Sequence, residues 1–341
     1  MFTIRYWQKE LAFEYPFTIS KGTKTHQPTF IVELNFRGIL GYGEAPAIAY
    51  YGITTDQMVA DFEAKRKFVE SFSLTDPKRF WHFLHHLFPN NPFLVCALDM
   101  AGWDIYGKLR RKPLYELWNL NLANTPKTDY TIGIDSLDKM LEKIDAHPAR
   151  IYKIKVGTAD DLEKLKAIRQ HTHAIIRVDA NAGWSFDQAL EILPVLEQLS
   201  IELIEQPLAK EDLEGAKILK EATSIPIIAD ESCVGERDVE KCADYFSGIN
   251  IKLTKCSGIT PALDMIKKAR LLNLQVMLGC MNESSIGTAA LAHLAPMVDF
   301  LDADGPLLLK EDLGAGIEFV EYQWKPTLLP GLGITPFLER L

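Results

Sequence analysis

Residues 150–157 read R-I-Y-K-I-K-V-G, with two lysines two positions apart in a run that is otherwise largely apolar. In a strand, positions two apart face the same side, so Lys153 and Lys155 project together while Tyr152, Ile154 and Val156 face the other way. Two ammonium groups side by side repel unless an anion sits opposite them. An exposed edge strand guarded by lysines gives the same pattern without any chemistry, and the rest of the chain decides between the two.

Three later apolar segments each end in an acid: RVDAN with Asp179, LIEQP with Glu205 and IADES with Asp230, separated by 26 and 25 residues. Carboxylates at the ends of three successive strands reach one rim, where repulsion raises their pKa values unless a cation neutralises them. Oxygen donors with no His or Cys beside them select a hard dication, Mg²⁺, with Mn²⁺ as a substitute. Any one acid read alone could simply cap the following helix; three at matched positions fit that reading poorly. Asn181 and Glu231 lie next to the proposed ligands and are placed to orient them or their waters.

A further segment, IKLTKCSG, carries Lys252 and Lys255 on the other side of the three acids. Lysines flanking a metal centre suit proton abstraction alpha to a carboxylate: the metal stabilises the doubly charged enediolate, and a lysine on either face removes or returns the proton. The unprotonated base requires a pKa lowered from roughly 10.4 towards 7–8, and about three units correspond to roughly 4 kcal/mol. Bases on both faces make inversion natural, whereas a single face suits elimination or a lysine Schiff base.

These residues need a scaffold that brings strand ends together. From about residue 128 the chain repeats a short apolar strand and a helical segment. The strands are 130–134, 152–156, 174–180, 201–207, 225–231, 248–253, 275–279 and 298–304, with helical segments such as 160–171, 185–198, 209–223, 236–244 and 259–272. Eight strands and seven helices at this spacing predict parallel crossover units closing into an α/β barrel, whose site lies at the C-terminal strand ends. An open doubly wound sheet is the alternative, but no G-x-G-x-x-G follows an early strand. Before the barrel, 29–36 reads as an antiparallel strand followed by turn glycines, 55–72 as a helix capped at Thr54 or Thr55, and 91–109 as a helix of small and apolar residues suited to close packing.

The 341 residues suffice for a barrel and a smaller domain, and 47% hydrophobic with 24% charged residues is ordinary for a globular chain. The formal charge of −9, without a basic run, excludes nucleic acid as the expected partner. No apolar stretch predicts a membrane span or signal peptide, so a cytoplasmic location with no membrane partner is expected. Cys96, Cys233, Cys242, Cys256 and Cys280 show neither metal-ligand nor disulfide spacing. Surface signals leave a homo-oligomer open.

With Lys153/Lys155, Asp179, Glu205, Asp230 and Lys255 at these strand positions, the chain resembles the enolase superfamily, in its muconate-lactonizing branch, and within that the dipeptide epimerases typified by L-Ala-D/L-Glu epimerase. The resemblance covers essentially the whole chain. It implies a (β/α)₇β modified TIM barrel at 125–304, an α+β capping domain at 1–124, and a tail at 305–341 that completes the barrel edge and the cap. It implies Lys155 and Lys255 as the acid/base pair and Lys153 as a neutraliser of the substrate carboxylate at Mg²⁺. Lys252, at opposite parity to Lys255, stays outside the catalytic set.

Asp302 and Asp304 in FLDADGP look like this group's clamp for the free α-ammonium of a dipeptide, a group that needs an anion; a turn before Gly305–Pro306 is the bland reading. GCMNESSIG, 279–287, resembles its seventh-strand segment, with Cys280 and Met281 as pocket lining. Where glutamate-specific members carry an arginine on the first capping loop, Gly22 stands here, with Lys21, Lys24 and His26 nearby. That departure favours small or hydrophobic second residues over Ala-Glu. Phe17, Ile19 and Ile53 are candidate lining residues. Within the superfamily, o-succinylbenzoate synthase, muconate cycloisomerase and N-acylamino acid racemase are rivals that the Asp302/Asp304 pair disfavours. A Schiff-base aldolase would not need three carboxylates, and a nonenzymatic binding protein would not need the ionisable cluster.

Overall fold

The computed structural model describes residues 1–340, so Leu341, the last residue of the expected tail, lies outside the described residues. Three antiparallel strands, β1 (Phe2–Ile19), β2 (Gly22–Phe36) and β3 (Ile39–Pro46), open the chain in the order β1-β2-β3. Only the second half of β2 is evident from the sequence. Its alternation is blurred because both faces are covered: Phe30, Val32 and Leu34 join a core with the capping helices, while Ile31 joins the barrel-side core. β1 and β3 are not evident from sequence. Polar residues alternate along β1, and glycines in β3 read as turns.

Those glycines have a packing reason. Helices α1 (Thr55–Ser71), α2 (Pro77–Leu87) and α3 (Pro92–Arg110) cover the sheet, and α3 lies along β3. A Cβ at Gly43 would come within 1.9 Å of the Ala97 carbonyl, and one at Gly41 within 2.4 Å of the Ala101 carbonyl. Two strand residues rise about 6.6 Å and four helix residues about 6.0 Å, so the two repeats match. α3 starts at an Asn91 cap whose side chain accepts from the Leu94 amide, with Pro92 behind it, and runs almost wholly buried between the cap sheet and the barrel.

The barrel strands are β4 (Tyr130–Ile132), β5 (Ile151–Lys155), β6 (Ile175–Asp179), β7 (Ile201–Glu205), β8 (Ile227–Ala229), β9 (Gly248–Lys252), β10 (Gln275–Gly279) and β11 (Phe300–Asp302). All neighbours pair in parallel, in sequence order, and a bridge between Thr128 and Leu301 joins the last strand to the first. Full helices span 137–146, 161–171, 186–198, 213–222, 236–245, 259–271 and 285–294; β11 is followed by a 3₁₀ turn instead. This is a (β/α)₇β arrangement beside a separate antiparallel capping layer. The tail returns to the cap: Leu309 bridges Phe13 of β1, and Gly331 seats against Gly107 of α3. No helix among the described residues is long and apolar enough to cross a membrane.

Because the atoms facing Gly43 are backbone, they cannot swing aside. Gly43→Ala is expected to cost about 3 kcal/mol of unfolding free energy in a urea titration; a loss under about 0.5 kcal/mol would show that α3 does not press on β3 as described.

Candidate active site

The barrel register sets the chemistry at one level. Lys155 is the Cα partner of Asp179, Asp179 of Glu205, and Glu205 of Ile228, two residues before Asp230. The period of two therefore turns all three carboxylates inward. On the far side Lys252 pairs with Gly279, and Gly279 with Asp302. Gly279 leaves room for Asn250, whose Nδ2 donates to Glu205 Oε1 at 2.7 Å; a Cβ at 279 would lie 2.6 Å from the Asn250 side chain. Gln206 accepts from the Asp230 and Ser232 amides and so ties the β7 and β8 ends together.

Asp179 and Glu205 are wholly buried, and Asp230 is 2% exposed. Carboxylates at that depth require compensation, which four lysines supply. Lys153 Nζ lies 2.6 Å from Asp302, 2.7 Å from Glu205 and 3.1 Å from Asp179. Lys155 meets Asp179 at 2.5 Å, Lys252 meets Asp230 Oδ2 at 2.8 Å, and Lys255 meets Asp230 Oδ1 at 2.5 Å. Burial works to raise the pKa of Asp179, but Lys155 and Lys153 hold it well below the usual carboxylate range. Burial likewise opposes ionisation of Asp230, and Lys252 and Lys255 override it. Glu205 is the exception: burial, reinforced by Asp179, pushes it up to about 7.

A cavity of about 100 Å³ opens above this level. Lys153, Lys155, Asp230, Asn181, Glu231, Asp302, Asp304, Cys280, Met281, Phe17 and Ile19 line it, as do Lys252, Lys24, Lys21, Tyr50 and Asn282. Asp179 and Glu205 lie beneath its wall. Asp304 accepts from the Thr131 amide at 2.6 Å and takes the Cys280 thiol at 3.6 Å; burial and Asp302 push its pKa up to about 6. Burial raises the Cys280 thiol well above its ordinary value, so it serves as wall and donor. Glu283, unanticipated in the sequence, accepts from the Met281 amide and fixes that loop.

Three placements differ from the sequence reading. Lys255 does not line the cavity. β9 ends at Lys252 and the chain winds into a helical turn, Leu253–Cys256, so strand parity no longer applies at 255. There the three protons of Lys255 meet four acceptors: Asp230 Oδ1, and the carbonyls of Asp230, Cys233 and Asn250. Lys252, set aside on strand parity, is the strand-end lysine that faces the cavity. Gly22 and Ile53 line a separate cavity of about 440 Å³ in the cap, which shares Ile19, Lys21, Lys24, Ile48 and Tyr50 with the first. Gly22 falls just past the Ser20–Lys21 turn of the β1–β2 hairpin, and the residue that reaches inward is Lys24. The hairpin tip rests on the barrel: Ser20 Oγ donates to the Ala180 carbonyl, and Lys21 lies 3.5 Å from Glu231 and 3.9 Å from the Tyr50 ring centroid.

Two known family descriptions match the chain. Residues 136–340 match the enolase C-terminal domain-like family, and residues 1–118 match the N-terminal domain of mandelate racemase and muconate lactonizing enzyme. The chain belongs to this family. Among members, an L-Ala-D/L-amino acid epimerase of Maribacter sp. is 47% identical over 91% of this chain and 92% of its own. The substrate-liganded L-Ala-D/L-Glu epimerase of Bacillus subtilis superposes with a TM-score of 0.93 at 30% identity, covering 98% of each chain. A dipeptide epimerase of Cytophaga hutchinsonii, complexed with Mg and D-Ala-L-Val, gives 0.92 at 28% identity over 98% of this chain and 96% of its own.

Membership in the family leaves Lys255 to be explained by its contacts here. Lys255→Met would strand Asp230 Oδ1 and three carbonyls in the interior, and a loss of about 3–5 kcal/mol in chemical denaturation is expected. Lys252→Met, at the cavity wall, should cost less than half as much; equal losses would remove the distinction between a structural and a cavity-facing lysine.

Proposed function

We propose that the protein epimerises the α-carbon of the C-terminal residue of a dipeptide, with Lys155 and Lys252 as the two bases. The observation that carries the reading is that both ammonium groups line one cavity from strands four apart. In an eight-stranded barrel, β5 and β9 face each other across the axis, so the lysines address opposite faces of anything held between them. Each has a single carboxylate partner, which leaves its other N–H directions for substrate. Lys153, engaged by three carboxylates, is saturated and serves as fixed positive charge.

Asp179, Glu205 and Asp230 would hold Mg²⁺, the ion in the Cytophaga complex. The donor set fits a hard dication: three buried carboxylates at the ends of adjacent strands, with no thiol or imidazole among them. Among the described residues the trio whose ligand atoms lie within 4.8 Å of one another is Cys280, Asp302 and Asp304; Asp179, Glu205 and Asp230, held apart on their lysines, are not gathered to that distance. The Cys280 trio includes a protonated thiol and an aspartate already held by Lys153, and it suits an ammonium better than a hard dication. When bound, the ion would neutralise charge gathering on the substrate carboxylate as the α-proton leaves. One lysine, as the neutral amine, takes that proton; the other, as the ammonium, gives one to the opposite face, and the configuration inverts.

The zwitterion fixes the orientation. Its carboxylate belongs over Asp179, Glu205 and Asp230, where a bound cation would neutralise it, and its ammonium at Asp304 and Asp302. The side chain of the inverted residue faces Ile19, Ile48 and Tyr50, which favours small and apolar second residues after an Ala-like first residue. Lys24 supports a second substrate, Ala-Glu: it is a cation within reach of the same space, with its pKa lowered to about 8 by burial and by Lys155 and Lys252.

Incubation of L,L- and L,D-dipeptides in D₂O with Mg²⁺ tests the bases. Lys155→Ala and Lys252→Ala should each stop net inversion, a loss of at least about 10³-fold, while each still exchanges the α-hydrogen of one epimer, and not the same one. Inversion at near wild-type rate in either variant would end the two-base reading.

Specificity is tested by two further variants. Asp304→Asn should lower kcat/KM on dipeptides by at least about 10²-fold. Lys24→Met should reduce Ala-Glu turnover and leave Ala-Val within about two-fold. N-succinyl amino acids processed faster than every dipeptide would reject the ammonium clamp.

A further inference from the structure

The loop after Lys252 is held from outside the barrel. Beyond the turn Leu253–Cys256, Ser257 has φ 74° and Gly258 φ 133°, and the helix Ile259–Leu271 begins without a side-chain cap of its own. Its first-turn amides would stay unpaired but for the capping domain. Asp99 of α3, wholly buried, accepts from the Thr260 amide at 3.0 Å and from its hydroxyl at 2.8 Å. Trp103, one turn along, donates to Thr260 Oγ1 at 2.9 Å. Trp81 of α2 donates to the carbonyl and hydroxyl of Ser257 at 3.0 and 3.1 Å. A Cβ on Gly258 would stand 2.4 Å from Asp99 Oδ2, so turn and carboxylate are fitted to each other. A carboxylate at a helix N-terminus is stabilised by the helix dipole as well as by its hydrogen bonds.

The opposite lysine is held differently. After Lys155, the Val156 amide donates to the Asp179 carbonyl, and the Gly157 amide to Asp161, both within the barrel; the cap hairpin packs on this loop, where a Cβ at Gly157 would stand 2.7 Å from Ser20 Cβ, but Ser20 hydrogen-bonds the Ala180 and Asn181 carbonyls instead. We propose that Asp99 and Trp81 are positioning residues for Lys252, so that the capping domain hydrogen-bonds the loop that follows one base and only packs against the loop that follows the other. Loosening the grip then acts on one face of the substrate. A merely structural role would weaken both faces together.

The inference rests on Lys155 and Lys252 being the two bases, and the test keeps the two claims apart. Full-length protein with Mg²⁺ is incubated in D₂O with L-Ala-L-Val and, separately, L-Ala-D-Val, and initial deuterium incorporation is followed by mass spectrometry. Lys155→Ala and Lys252→Ala identify which epimer each lysine serves. Asp99→Asn and the milder Trp81→Phe, which removes the indole N–H together with part of the ring, are then expected to slow exchange at least about ten-fold more on the Lys252 epimer than on the other. A thermal melt accompanies each, and Trp81→Phe carries the test if Asp99→Asn fails to fold. Equal slowing of both epimers, or none in either, overturns the proposal. Lack of epimer bias in Lys252→Ala would overturn the base assignment first, and this inference with it.

Discussion

Everything at the barrel mouth depends on placing ammonium groups between buried carboxylates. Asp179, Glu205, Asp230, Asp302 and Asp304 are all at most 4% exposed, and anions at such depth are tolerable only when paired. Four lysines face these five acids. The register of parallel strands makes this possible, because it brings Lys155, Asp179 and Glu205 to one level and Lys252, Gly279 and Asp302 to another. Glu205 is the least securely ionised of the three strand-end acids, because burial, reinforced by Asp179, works against its charge.

The lysines divide by saturation rather than by sequence neighbourhood. Lys153 and Lys255 each spend their N–H groups on three or more oxygens, and they act as internal counter-ions. Lys155 and Lys252 have one carboxylate each and open onto the cavity. A saturated ammonium must break several hydrogen bonds before it can receive a proton from substrate; a singly held one need not. Burial and the surrounding acids act in opposite directions on Lys252, and the acids, Asp230 first among them, keep it well above its ordinary pKa. Were Lys252 the base proposed above, a cation shared with those same acids would weaken that hold, which is the direction a base requires.

Most of the barrel is legible in the sequence because it repeats: apolar strands ending in acids at a spacing of about 25 residues are hard to reconcile with any other fold. Legibility fails where a local rule is carried past its element. Parity favours Lys255 over Lys252 only if 248–255 is one continuous strand, whereas β9 stops at 252 and a helical turn begins. The capping loop is obscured for a related reason. Gly22 matches a ligand position by sequence, but it lies beside a two-residue hairpin turn, and Lys24 on the returning strand points inward. Glycines 41 and 43 read as turn formers because one sequence cannot reveal a helix backbone lying against them.

The cap is more than a cover over the barrel. Its hairpin tip touches the β6 loop through Ser20 and the β8 end through Lys21, while α2 and α3 grip the loop after β9. These contacts fall on the loops that come after Asp179, Asp230 and Lys252, so docking of the cap and alignment of the site share bonds. The asymmetry has a physical origin. A parallel barrel satisfies its own backbone along the strands and leaves the strand-to-helix loops at its C-terminal face to find partners elsewhere. A second layer that supplies those partners gains influence over the residues at the loop roots, so the position of Lys252 can be tuned from outside the barrel without altering the charges inside it.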